Sequence, residues 1–102
     1  MTKDADKMLC CLYRTYLNRI KAGNSKTSSK DFKAEYIESD EVLSKWHPDD
    51  VFATRNELKR AGYLTVNIIG NFRLTDEAIT YMENRFKNGL NEVIDFITRF
   101  IP

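Results

Sequence analysis

Two cysteines and one histidine are the only thiols and the only imidazole in these 102 residues. Cys10 and Cys11 are adjacent, so on a helix their side chains point about 100° apart and a disulfide between them would be strained. With no CxxC and no second cysteine pair, the four ligands of a structural zinc site cannot be assembled at recognisable spacing. A redox role would require an exposed thiolate of lowered pKa. Two small apolar side chains in a reduced compartment is the expectation instead. His47 stands before Pro48-Asp49-Asp50 and reads as a helix cap. There is no Gly-rich phosphate loop and no paired nucleophile and base. The carboxylates fall at helix starts and on polar faces, where capping explains them. The expectation is therefore no enzyme, no cofactor and no metal.

The length suits one domain, residues 1–102, with one hydrophobic core. Apolar residues make up 42%, charged residues 30% and aromatics 12%, an ordinary globular balance. No apolar run is long enough to span a bilayer. The polar start Met1-Thr2-Lys3-Asp4 leads into no secretory signal, so a cytoplasmic location is expected. Net charge is +1 but unevenly spread, since residues 1–30 carry seven basic and two acidic side chains. Local excess of that kind is what a directed basic patch requires, although on charge alone a solvated helix face is the favoured explanation.

Periodicity places the elements. Leu9, Leu12, Tyr13, Tyr16, Leu17 and Ile20 recur at helical spacing over 5–22, and Gly23 ends the run. The stretch 24–30 reads as loop with room for a short strand at 26–28. Ser28 or Ser29 then caps a second helix with Phe32, Tyr36 and Ile37 as its buried stripe. Residues 39–46 add a further turn. Pro48 opens a helix to Ala61. After Gly62 the period changes to two: Leu64, Val66 and Ile68 share a face, Gly70-Asn71 turns, and Phe72-Arg73-Leu74 returns. A three-residue loop, 69–71, would pair Ile68 with Phe72 and Val66 with Leu74, keeping four apolar side chains together. Thr75 caps the next helix, and Asn88-Gly89 stops it. A last amphipathic helix is expected over about 90–101, beyond a core of about 5–87.

The order helix, helix, helix, two-stranded hairpin, helix resembles a winged-helix (winged helix-turn-helix) domain: α+β, mostly helical, with a two-stranded wing and an extra C-terminal amphipathic helix. Glu57-Leu58-Lys59-Arg60-Ala61-Gly62-Tyr63-Leu64 resembles a recognition helix turning into the wing. Phe72-Arg73-Leu74-Thr75-Asp76-Glu77-Ala78 resembles the second wing strand entering the following helix. With its Ile- and Phe-rich trailing segment, the chain is most similar to small YjcQ-like proteins of Gram-positive bacteria and their phages, over roughly residues 5–101. The resemblance implies double-stranded DNA as partner and a role in transcription regulation. Residues 39–46 depart from the usual order.

On that reading the helix 48–61 turns Val51, Thr54, Leu58 and Ala61 inward and Asp49, Ala53, Asn56 and Arg60 outward. Asn56 and Arg60 are the candidate base contacts. Arg55, Lys59, Asn71, Arg73, Ser29 and Lys30 are the candidate backbone contacts. Asp49 and Asp50 would repel phosphates. The alternative is a protein-interaction module. The C-terminal stripe Leu90, Val93, Ile94, Ile97, Phe100 and Ile101 serves either a two-fold dimer or packing onto the first helix. Its charges, Glu92, Asp95 and Arg99, do not suit an anionic membrane.

Overall fold

The computed structural model describes residues 1–100. Its longest element, α1 (Lys3–Lys21), starts where the Thr2 hydroxyl accepts from the Ala5 N–H at 3.1 Å. Asp4 and Asp6 lie in the first turn and Arg19 and Lys21 in the last, matching the helix dipole at both ends. Gly23, at φ +104°, takes the left-handed conformation that closes it. The expected stripe is buried at Leu9, Leu12, Tyr13 and Tyr16, but so are Met8, Cys10 and Cys11. The five consecutive residues Met8–Leu12 are fully enclosed because α1 is surrounded by the helices that follow it in the chain.

Residues 24–46 correct the expectation most. Residues 26–28, suggested as a short strand, lie instead in one helical turn, α2 (Lys26–Ser29), capped by the Ser25 hydroxyl on the Ser28 N–H at 3.0 Å. Asp31–Phe32, assigned to the second helix, is instead a strand, β1. The second helix shrinks to α3 (Tyr36–Ser39), followed by a 3₁₀ turn at Leu43–Lys45 that is the extra segment. Phe32 and Ile37 are buried as expected and Tyr36 half-buried, but they do not form one helical stripe. Phe32 stacks on Phe72, with ring centroids 5.2 Å apart.

After α4 (Pro48–Arg60), strands β2 (Leu64–Val66) and β3 (Phe72–Leu74) form the expected antiparallel hairpin. The sheet has three strands rather than two, in the order β1-β3-β2. Val66 pairs with Phe72 and Leu64 with Leu74, a register displaced by two residues from the one expected. The displacement keeps the parity, so Leu64, Phe72 and Leu74 are buried and Val66 half-buried. It also lengthens the loop to residues 67–71 and ejects Ile68 from the strand. The Asn67 side-chain oxygen accepts from the N–H groups of Ile69 and Asn71, at 3.1 and 2.9 Å, which stabilises this loop from within.

Thr75 caps α5 (Asp76–Arg85) through the Ala78 N–H at 3.1 Å. The last helix, α6 (Leu90–Thr98), folds back along α1 and buries Val93 and Ile97. The architecture is a mostly helical α+β domain with a small antiparallel sheet. No helix among the described residues is long and apolar enough to cross a membrane.

Candidate nucleic-acid interface

α4 presents the candidate surface. The His47 Nδ1 accepts from the Asp49 N–H at 3.0 Å, so the histidine is a helix cap. Thr54 and Leu58 are buried and Val51 is half-buried, as the periodicity requires. Ala61 is the exception: it is the C-cap residue and is exposed. Asp49, Phe52, Ala53, Lys59 and Arg60 are exposed, with Asn56 half-buried among them. Glu57, on the flank, is bonded to Thr2, accepting from its N–H at 2.8 Å and its hydroxyl at 2.7 Å. These hydrogen bonds hold the Glu57 carboxyl below its usual pKa.

Asn56, Lys59 and Arg60 enter none of the side-chain hydrogen bonds or ion pairs found among the described residues. The remaining candidate polar contacts are committed to the fold. Ser29 is buried and its hydroxyl donates to the Ser25 carbonyl at 2.6 Å, so it offers nothing to a phosphate. Lys30 is paired with Asp76 at 2.7 Å and Arg73 with Asp31 at 2.6 Å, which offsets both positive charges locally. Arg55 donates to the Gly70 carbonyl at 3.2 Å, tying the middle of α4 to the hairpin loop. The Asn71 side-chain oxygen accepts from the Ala34 N–H at 3.0 Å and so anchors that loop to the stretch ahead of α3.

The proposed dimer seam is largely consumed within the chain. Val93 and Ile97 are buried, because α6 closes the side of α1 that its apolar residues would otherwise expose. Leu90 and Phe100 are half-buried, only Ile94 is exposed, and Ile101 lies outside the described residues. The three most exposed large apolar side chains among the described residues lie elsewhere, at Phe52 and at Ile68 and Ile69 in the hairpin loop. Sequence periodicity missed Ile68 by assigning it to the strand, while Ile69 already fell in the expected loop.

Burial raises the thiols of Cys10 and Cys11 to about 12, with the carboxylates of Asp6 and Asp40 respectively adding to the effect. Both are free cysteines, and a thiol held in that state is a poor nucleophile. No group of three or more His, Cys, Asp or Glu side chains among the described residues is placed to hold a metal ion.

Comparison with protein-family models, with curated protein sequences and with solved structures gives no match.

Proposed function

We propose that this chain is a winged-helix module of transcriptional-regulator type that binds double-stranded DNA with the outer face of α4. The observation that carries the reading is the contrast on that helix. Among the described residues, Asn56, Lys59 and Arg60 make no side-chain hydrogen bond or ion pair, whereas Ser29, Lys30, Arg55, Asn71 and Arg73 are engaged. The connectivity supports it, since a helix followed by a hairpin with sheet order β1-β3-β2 is the arrangement in which a winged helix offers its third helix to a major groove. Arg60 and Asn56 are side chains of the kinds that read guanine and adenine edges, and Lys59 of the kind that meets a phosphate. The contact is confined to the C-terminal half of α4, because Asp49 and Asp50 occupy its first turn. The hairpin loop, which carries no charge from Asn67 to Asn71, contributes little to phosphate binding.

Fluorescence anisotropy with a labelled mixed-sequence duplex tests this at several salt concentrations. Binding that weakens steeply with salt supports the reading, and absence of binding at low salt removes it. A second reading, a protein-interaction module without DNA binding, is favoured by the exposure of Phe52, Ile68 and Ile69. It would lead if the duplex is not bound.

A further inference from the structure

The three strands turn Phe32, Leu64, Phe72 and Leu74 into the core, so the alternate positions face outward together. The register sets these outward residues in two rows. Asp31, Arg73 and Thr65 are cross-strand partners in the first. Extending the same register puts Lys33, Asn71 and Asn67 in the second, where the Asn67 N–H donates to the Asn71 carbonyl at 2.9 Å. All six residues line one recess of about 370 Å³ on the outer face of the sheet.

The second row is one-sided in its hydrogen bonding. The Asn67 side-chain oxygen is spent on the N–H groups of Ile69 and Asn71, and that of Asn71 on the Ala34 N–H. Both amides thus have their oxygens committed and keep their NH2 groups, which enter none of the hydrogen bonds found among the described residues. The Lys33 ammonium likewise makes no side-chain hydrogen bond or ion pair there. Arg73 uses one guanidinium donor on Asp31 and has the others left. Asp31 and Arg73 cancel in charge, so the recess carries one net positive charge, that of Lys33.

We propose that this recess binds a small monocarboxylic acid, its carboxylate held by the Lys33 ammonium and the NH2 groups of Asn67 and Asn71, with the remaining Arg73 donors at the edge. A carboxylate is acceptor-only and has lone pairs enough for these donors. A single negative charge matches the single net positive one. A dianion would bring a second negative charge beside Asp31 with no cation to offset it. The donors are in place before a ligand arrives. Asn67 bonds across its loop, Asn71 is anchored to Ala34, and Arg55 holds the Gly70 carbonyl, so little ordering remains to oppose binding. The site lies on the sheet, away from the outer face of α4, and stands independently of DNA binding.

An amide-resolved NMR titration of the whole chain with sodium acetate tests the inference. The expected result is saturable shifts of the Asn67 and Asn71 side-chain amides, with a dissociation constant on the order of millimolar for so small a ligand. Lys33→Gln should weaken binding at least about fivefold through loss of the one unpaired cation. Lys33 is exposed, and an unchanged melting temperature would show that the variant still folds. Asp31→Asn removes the one carboxylate from the recess and should tighten acetate binding severalfold. It should also admit inorganic phosphate, which the wild type is expected to bind more weakly than acetate. Shifts that grow linearly with acetate, that an equal concentration of sodium chloride reproduces, or that persist undiminished in Lys33→Gln overturn the proposal. Wild-type binding of phosphate ahead of acetate overturns the choice of a monocarboxylate.

Discussion

Arg14 and Asp40 form an ion pair where α1 meets the end of α3, with the Asp40 side chain wholly buried and that of Arg14 15% exposed. The same carboxylate accepts from the Tyr36 hydroxyl at 2.7 Å and from the N–H groups of Val42 and Leu43 at 3.0 and 2.9 Å. One side chain therefore satisfies a half-buried cation, a half-buried phenol and two backbone donors that open the 3₁₀ turn. It ties the start of the extra segment between α3 and α4 to α1.

Removing the hub should cost more than removing the cation. Asp40→Ala strands Arg14 and both N–H groups and is expected to cost about 3–5 kcal/mol, the range for breaking a buried pair. Arg14→Met leaves the carboxylate with its three other donors and should cost clearly less. Urea unfolding of both variants checks the order, and a larger loss for Arg14→Met would refute the assignment of Asp40 as the hub.

The buried thiols give stability an alkaline limit. Their folded pKa, about 12, lies above the ordinary value of 9.0. The unfolded chain thus loses these protons first as pH rises, and the stability they contribute is fully present below about 9 and declines towards about 12. The slope is on the order of 1.4 kcal/mol per pH unit for each thiol. Unfolding free energy measured across this window should fall less steeply in the double variant Cys10→Ala, Cys11→Ala. The native wild type should also resist a thiol reagent at pH 8, and rapid modification would show that the thiols are accessible.

α6 should behave as part of the core. Ile97→Ala is expected to cost about 2–4 kcal/mol, as truncation of a buried isoleucine does. Denaturation should show that loss at every protein concentration. A loss that vanishes on dilution would mean that Ile97 stabilises an assembly instead.

If α4 binds duplex DNA, its surface can be mapped by salt dependence. Combining Lys59→Ala with Arg60→Ala should lower the salt slope of binding by about 2, one for each cation removed. Arg73→Ala should leave the slope unchanged because Arg73 already faces Asp31. Asn71→Ala should cost about 1–3 kcal/mol of stability by unpairing the Ala34 N–H, with little change in affinity. Equal effects of Arg73 and Lys59 on the slope would move the contact from α4 to the sheet.

Much of this architecture is legible in the chain because its causes are local. Thr2, His47 and Thr75 cap the helices that follow them, and Gly23 stops α1, through bonds and dihedral preferences spanning a few residues. The two-residue period after Gly62 settles which side chains of the hairpin face inward. A displacement by two residues preserves that parity, so alternation could not choose between a three-residue and a five-residue loop. The choice fell to Asn67 and to the Asn71–Ala34 bond, and it decided whether Ile68 is a strand residue or an exposed knob. One signal was available and unused: an aspartate two and three residues before Val42 and Leu43 is the spacing of a side chain capping a turn.

The amino-acid sequence by itself determined the helices with strong caps, the inward face of α4 and the parity of the hairpin, because each depends on neighbours along the chain. Only the tertiary structure decided that Asp31 and Phe32 form a strand, since their partners Arg73 and Phe72 lie some forty residues away. It likewise decided that Met8–Leu12 is enclosed on every side and that α6 is spent on α1. Which polar side chains remain free for a partner also depended on it, because whether Lys30 or Arg73 is available turns on Asp76 and Asp31 being brought beside them. Burial and pairing are properties of contacts distant in sequence, and no local period encodes them.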